Sequence, residues 1–426
     1  MPLAEIPGNN LDAAGEADRC DALSPYRDRF HLPSGRDGQP LIYFCSHSLG
    51  LQPKTVRPLI ECELDQWARF AVEGHFHGAS PWYTYQESMR QANARLVGAL
   101  PHEVILMNGL TVNLHLMLTS FYQPNRERFK ILIDEPAFPS DLYAIKTHLA
   151  VRGYDPQRAL LSVKPRIGSD HVELADVERL LEAEGYQIAL VLWSGLNFLT
   201  GQLFDIPMLT ALVQRHGCRM GLDLAHAAGN VPLRLHEWNV DFAVWCPYKY
   251  LCGGPGSIAG CFVHERHGRS PFPRLAGWWG NDPQTRFRMQ LQPEFVPQPG
   301  ADGWQVSNPP ILALVPVRAA LDIFEEVGLA ALRNKSIRLT GYLDHLLQWQ
   351  PIKGITPISP ARPSERGCQL SLRVQGDGSQ LTKALLDAGA VVDFRQPDII
   401  RVAPAPLYNT FVEVYRFWQI LSAMCQ

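Results

Sequence analysis

Two stretches of the chain carry polar side chains at the ends of apolar runs. One is Gly221-Leu-Asp-Leu-Ala-His-Ala-Ala-Gly229; the other is Asp241-Phe-Ala-Val-Trp-Cys-Pro-Tyr-Lys-Tyr-Leu-Cys-Gly-Gly-Pro-Gly256. Open α/β sheets gather ligands outside the carboxyl ends of their strands, so Asp223 and Lys249 are expected to share one cleft. A lysine amine can form an imine with an aldehyde. A carboxylate can keep a pyridine nitrogen protonated, so that the ring withdraws electrons from a substrate carbanion. That pair is what a pyridoxal 5′-phosphate (PLP) site requires. Taken singly, Asp223 could cap a following helix and Lys249 could be a solvated surface lysine. Taken together they argue otherwise, because Lys249 stands between Tyr248 and Tyr250, beside the glycine-rich Cys252–Gly256.

The elements that must position this pair are legible as a pattern. Short apolar runs at Lys130–Ile133, Ile188–Trp193, Arg219–Leu222, Phe242–Trp245 and Ile258–Val263 alternate with amphipathic segments, which predicts an α/β unit on a largely parallel sheet. Between two of them, Asp205 can cap a helix, Pro207 suits its first turn, Leu209, Leu212 and Val213 line one face, and Gly217 can end it. Upstream, Leu41-Ile-Tyr-Phe44 reads as a short strand. A helix is predicted from about Lys54 to Val72, with Leu59, Leu64 and Trp67 on its buried stripe. The first twenty residues show no sustained period and read as a poorly ordered or loosely packed arm. After Asn308-Pro309-Pro310 the pattern turns to long helix, then to strands near Cys368–Val374, Val391–Phe394 and Ile400–Val402. The expected division is an arm and short strand over 1–50, a large α/β domain over 51–305, and a smaller α+β domain over 306–426.

Bulk properties remove competing classes. An apolar fraction of 46% against 19% charged residues suits an ordinary globular protein. A formal charge of -3 offers no electrostatic reason for nucleic-acid binding. No apolar run approaches membrane-spanning length and the start lacks a secretory pattern, so a cytoplasmic location is expected. Nine scattered cysteines without a Cys-x-x-Cys read as reduced thiols, and His75-x-His77 without further ligands is not a metal site. No metal is expected.

The order strand-Asp-Leu-Ala-His-Ala, then Asp-Phe-Ala-x-Trp-Cys-x-Tyr-Lys-Tyr-Leu, resembles the aspartate and lysine motifs of kynureninase, a class V, fold-type I PLP enzyme family. Ser48-Leu-Gly-Leu-Gln-Pro53, Glu73-Gly-His75, Leu110-Thr-Val-Asn-Leu-His115, Phe138-Pro-Ser-Asp141, Thr200-Gly-Gln202, Ser307-Asn-Pro-Pro310 and Ile400-Arg-Val-Ala-Pro-x-Pro-Leu-Tyr-Asn409 extend the likeness over nearly the whole chain. The resemblance implies fold-type I PLP-dependent transferase architecture, with a mainly parallel sheet in the large domain. It implies hydrolysis of the Cβ–Cγ bond of L-kynurenine or a ring-substituted kynurenine to an anthranilate and L-alanine, a step of tryptophan degradation. Lys249 then carries PLP and Tyr248 moves protons or binds phosphate. Phe138 stacks on the ring, Asp223 pairs with its nitrogen, and Leu110, Thr111, Asp141, Ser194 and His226 complete the cofactor pocket. Trp278 and Asn308 match positions that reach the cofactor across a homodimer interface. Arg401 becomes the clamp for the substrate α-carboxylate, where its planar fork can bind bidentately. Ser48 and His75 match positions near the aromatic end of the substrate, and Asn308 counts among the substrate-binding positions as well.

Another class V reaction, such as that of a cysteine desulfurase or β-lyase, would use Asp223 and Lys249 equally well, and a non-catalytic protein of the same fold is a third reading. A desulfurase needs a reactive cysteine on a mobile loop, a role that neither Cys252 nor Cys368 clearly fits. The chain departs from the family pattern at His47 and Cys252, both commonly asparagine, and at Asn197-Phe-Leu-Thr200. The changes at His47 and Cys252 alter the hydrogen bonding available, and the one at His47, beside Ser48, bears on ring-substituent preference more than on reaction type.

Overall fold

The computed structural model describes residues 6–425. Its centre is a seven-stranded sheet in the order Val104–Leu106, Gly260–Val263, Phe242–Trp245, Arg219–Asp223, Ile188–Ser194, Lys130–Asp134, Leu160–Val163. Neighbours from Phe242–Trp245 to Leu160–Val163 run parallel; Gly260–Val263 is antiparallel to both its neighbours. Alternation along each strand explains why the sheet is buried on two sides. Leu132, Val191, Trp193, Leu222 and Ala243 enter one core, while Ile131, Ile133, Leu190, Leu192 and Val244 enter the other. The helix Ile206–Arg215 forms as its sequence predicts. Asp205 accepts the Met208 N–H at 3.1 Å, and Gly217 follows the helix in the left-handed region.

The C-terminal segment builds its own antiparallel sheet, Asp393–Arg395, Ile399–Val402, Leu370–Val374, Ile355–Pro357, over a third core with the helices Leu329–Trp349 and Phe411–Met424. The expected loose arm over the first twenty residues falls partly outside the described residues, and from residue 6 onward it is not loose. Leu11–Arg19 is a helix capped by Asn10, and it lies against Phe411–Met424. Asp18 accepts the N–H groups of Phe411 and Val412 at 2.7 and 3.0 Å, which neutralises the exposed donors of that helix start. A cap supplied from nearly four hundred residues away carries no local signature. The short strand Ile42–Tyr43 pairs parallel with Ala390–Val391, tying the same segment down a second time.

The helix predicted over 54–72 spans Val56–Phe70, and of its expected buried stripe only Leu59 packs against the core. Leu64 and Trp67 are 43% and 59% exposed, and Glu63 and Gln66 turn inward instead. Their polar groups are satisfied there. Glu63 accepts from the Trp82 indole at 2.8 Å and Gln66 donates to the carbonyl of Ser80 at 3.0 Å. Hydrogen bonding to the following loop therefore outweighs the apolar period in orienting this helix. No helix of the described residues is long and apolar enough to cross a membrane.

Candidate active site

Three parallel strands end in polar residues on the same edge of the sheet: Asp134, Ser194 and Asp223. Register puts Ser194 directly beside Asp223, and Ser194 N–H donates to Asp134 Oδ1 at 3.0 Å. Beyond the fourth strand, the turn after Trp245 returns Lys249 to this edge. The resulting cleft, about 700 Å³ and partly open to solvent, is lined by Leu110, Thr111, Phe138, Asp141, Ser194, Asp223, His226, Tyr248 and Lys249. These nine are the residues that the sequence assigns to the cofactor pocket from this chain. Asp134, Phe198 and Trp193 also line it and carry no such assignment.

Each contribution has a local cause. Lys249 is 8% exposed, and its Nζ lies 5.7 Å from the centroid of the Phe138 ring and 5.9 Å from that of Tyr248. Phe138 keeps 39% of its surface exposed, unusual for a phenylalanine among core elements, and meets Phe198 edge-on at 5.4 Å. Leu110 and Phe138 open the helices Leu110–Phe121 and Pro139–Val151, neither of which has a side-chain cap. The N–H groups of Thr111 and Ser140 lie in these first turns, before the first intrahelical bonds, next to the Thr111 and Ser140 hydroxyls 3.2 Å apart, where an anion could meet them. Gly50 lets the Ser46–Gly50 loop lie on the lysine turn: its N–H donates to the Tyr248 carbonyl at 2.8 Å, and a Cβ there would collide with the Lys249 carbonyl and Cys252. Cys252 itself holds φ +59, a left-handed backbone that asparagine adopts more readily.

The electrostatics are those of a crowded acidic cleft. Asp141 is pushed well above the carboxylate range, by burial first and by neighbouring Asp223 second, and its buried Oδ1 has no hydrogen-bond partner among the described residues. Burial also raises Asp134, to about 6, against the opposing hydrogen bonds from Ser194 and Asn197. His226 is held well below its ordinary value by burial and then by Lys249, so its imidazole is neutral. Burial, then Cys246, raises the Tyr248 phenol, which therefore keeps its proton at neutral pH. A cation bound between these carboxylates would relieve their mutual repulsion. A flat, cationic heterocycle bearing an anionic group matches the cleft: aromatic face at Phe138, carboxylate at Asp223, helix starts at the anionic end.

The other assigned residues lie elsewhere. Arg401 is 1% exposed in the small sheet, where Nη1 donates to the Phe198 carbonyl at 2.8 Å, and Ser48 sits beside it. His75 is in a short turn of 3-10 helix, its Nδ1 2.9 Å from the Val72 carbonyl and its ring edge-on to Trp82. Trp278 packs on Trp279 and Phe287, and Asn308 is exposed; neither lines the Lys249 cleft of its own chain. Asn197 organises the variant loop that follows Ser194. Its Oδ1 accepts from the N–H groups of Leu199 and Thr200, and its Nδ2 donates to Asp134 and to the Pro136 carbonyl. Asp134 could have been found in the sequence, since Lys130-Ile-Leu-Ile-Asp134 ends an apolar run in an acid just as the Asp223 strand does.

This arrangement defines a class. The fold is that of the PLP-dependent cysteine desulfurase group. The apo cysteine desulfurase of Thermococcus onnurineus NA1 superposes with a TM-score of 0.73 at 16% identity, covering 100% of this chain and 99% of that one. The cysteine desulfurase CsdA of Escherichia coli gives 0.74 at 16% identity, over 94% and 98%. A lysine-to-alanine mutant of C-DES, with glycine covalently linked to its PLP cofactor, gives 0.73 at 17% identity, over 89% and 96%. Within that class, the model of the kynureninase C-terminal domain matches residues 332–421. Kynureninase of Myxococcus xanthus is 51% identical over 410 residues, 96% of each chain. The Koribacter versatilis enzyme of that name is 51% identical over 405 residues, 95% of each. The chain belongs to the kynureninase family.

Proposed function

We propose that this chain hydrolyses the Cβ–Cγ bond of L-kynurenine, or of a ring-substituted kynurenine such as the 3-hydroxy form, to an anthranilate and L-alanine, with PLP held in the Lys249 cleft. The observation that carries the reading is geometric: Asp223, Phe138 and Lys249 converge on one cleft whose buried Asp141 oxygen has no hydrogen-bond partner among the described residues. Family membership narrows the chemistry to kynurenine cleavage. PLP, when bound, supplies an electron sink that stabilises negative charge on the substrate carbons next to it.

The chain supplies the rest. Lys249 Nζ anchors the cofactor and then takes the proton from the substrate Cα. Asp223 holds the pyridine nitrogen in its protonated form. Burial, and then the neighbouring Asp223 carboxyl, hold Asp141 well above the carboxylate range. Water adds to the substrate γ-carbonyl carbon and becomes a carboxyl oxygen of the anthranilate, while the Tyr248 hydroxyl, kept neutral, donates a proton to Cβ as the Cβ–Cγ bond breaks. Leu110, Thr111, Ser194 and His226 surround the cofactor, the first two at the helix start suited to phosphate. Arg401 receives the α-carboxylate, while Ser48 and His75 border the aromatic end.

A homodimer belongs to the same reading. Trp278 adjoins an exposed apolar surface that includes Phe76, Phe287, Leu291 and Val296, at 53%, 57%, 72% and 53% exposure. A second copy covering that surface would carry Trp278 and Asn308 to the neighbouring cleft.

Sulfur transfer fits less well. Cys252 and Cys368 are fully buried, and burial pushes both thiols up to about 12, which disfavours the thiolate a desulfurase needs. PLP-loaded protein given L-kynurenine is expected to release anthranilate and L-alanine in equal amounts. No turnover of L-kynurenine, its 3-hydroxy form or other ring-substituted kynurenines overturns the assignment.

A further inference from the structure

The strand Asp393–Arg395 runs antiparallel to Ile399–Val402 in the register that sets Asp393 directly opposite Arg401. Opposed residues project from the same face of a sheet within about 5 Å, so carboxylate and guanidinium meet through backbone register alone. Asp393 Oδ1 accepts from Arg401 Nε at 2.8 Å and from Arg395 Nε at 2.9 Å. Its Oδ2 accepts from Arg395 Nη2 at 3.0 Å and from Ser48 Oγ at 3.1 Å. On Arg401, Nη1 is taken by the Phe198 carbonyl, whereas Nη2 has only Ser48 Oγ at 3.5 Å, the limit of a hydrogen bond. The guanidinium is thus fixed along one side and loosely held along the other.

Charge points the same way. His47 faces Asp393 at 3.8 Å with both ring nitrogens lacking partners, and burial, then Arg401, lowers it to about 4. Cys45 is pushed up to about 11 by burial and then by Asp393. Burial opposes ionisation of Asp393, but the His47 imidazole and the Arg401 guanidinium overcome it, leaving its pKa below the usual range. One carboxylate therefore faces two guanidiniums between neutral neighbours, and the cluster has one positive charge to spare. Although Cys45, His47 and Asp393 could approach a common ion, that surplus favours an anion over a metal.

We propose that Asp393 is the positioning residue of the carboxylate clamp: it holds Arg401 by Nε so that the Nη2 edge meets the substrate α-carboxylate, and through Ser48 it holds the loop bordering that edge. The proposal rests on the reading of Arg401 as that clamp. Asp393 touches no substrate in this role. It sets the angle and the net charge of the group that does.

Two ligands separate positioning from general damage. L-alanine carries the α-carboxylate, and 2-aminoacetophenone carries the aryl ketone without it. In PLP-loaded Asp393→Asn, the dissociation constant of L-alanine, read from the visible absorbance of the bound cofactor, is expected to rise at least about tenfold. Inhibition by 2-aminoacetophenone should weaken much less than alanine binding, because Asp393 reaches the aromatic end only through Ser48. KM for L-kynurenine should follow alanine, with kcat changing less. Ser48→Ala, a milder change that keeps the charge, should weaken alanine in the same sense but less. Unchanged alanine affinity in the variants that fold, or equal weakening of both ligands, overturns the proposal. A protein that shows Asp393-dependent alanine binding yet cleaves no kynurenine keeps the clamp and loses the assigned reaction. One that cleaves kynurenine with Asp393-independent alanine binding does the reverse.

Discussion

In the Lys249 cleft three carboxylates, Asp134, Asp141 and Asp223, face one lysine, whereas around Arg401 one carboxylate, Asp393, faces two guanidiniums. The first region lies at the ends of buried parallel strands, opens to solvent and leaves a buried oxygen of Asp141 unpartnered among the described residues. The second lies on an antiparallel sheet, admits almost no solvent at Arg401 and pairs most of its polar groups. The difference is complementary to one ligand pair. An acidic cleft attracts a cationic ring, and a basic cluster beside it attracts an amino-acid carboxylate. The Phe198 loop joins the two, with its ring on Phe138 and its carbonyl on Arg401.

The comparison breaks most easily at Lys249. Replacing it with alanine is expected to abolish the visible band of lysine-bound PLP and to lower turnover by about 10³-fold or more, since anchor and proton acceptor go together. A variant with the normal spectrum and rate would place the chemistry elsewhere. Arg401→Lys tests the second region. It keeps the charge and loses the fork, so KM for L-kynurenine should rise by roughly 10- to 100-fold while the cofactor spectrum stays normal. Equal KM values would show that charge alone suffices there.

The smallest effect concerns the acidity of the cleft. The folded state holds Asp134 at about 6, above its ordinary value of 3.8, so between those limits the folded chain binds a proton that the unfolded chain has released. The contribution of Asp134 is fully present below the lower limit and declines as pH rises toward 6, by at most about 1.4 kcal/mol per pH unit. Chemical unfolding across this window should show a steeper descent in the wild type than in Asp134→Asn, which keeps the contribution of Asp141. Parallel curves would mean that Asp134 is not strained by its burial.

Legibility in the sequence is unequal in a way that follows from range. Lys249 and Asp223 announce themselves because each ends or follows a short apolar run and the chemistry of one cofactor needs the two types together, whereas Phe138 is singled out only by the family motif. Asp134 has the same local signature but no matching motif to single it out. Asp393 has neither: an acid eight residues before an arginine is commonplace, and only the hairpin register makes it a partner. The helix Val56–Phe70 shows the opposite failure, where a visible apolar period does not decide which face is buried. The docking of Leu11–Arg19 against a helix at the other end of the chain is equally out of reach.

The sequence by itself determined the alternating strands and helices and the two runs that set Asp223 and Lys249 at the ends of apolar strands, because backbone periodicity and side-chain type act over a few residues. Tertiary structure alone decided that Asp141 is held well above the carboxylate range, that His47 stays neutral, and that Arg401 is held along one edge by Asp393. Desolvation and charge pairing depend on what surrounds a group from every side. For these residues, most of that surrounding arrives from distant parts of the chain.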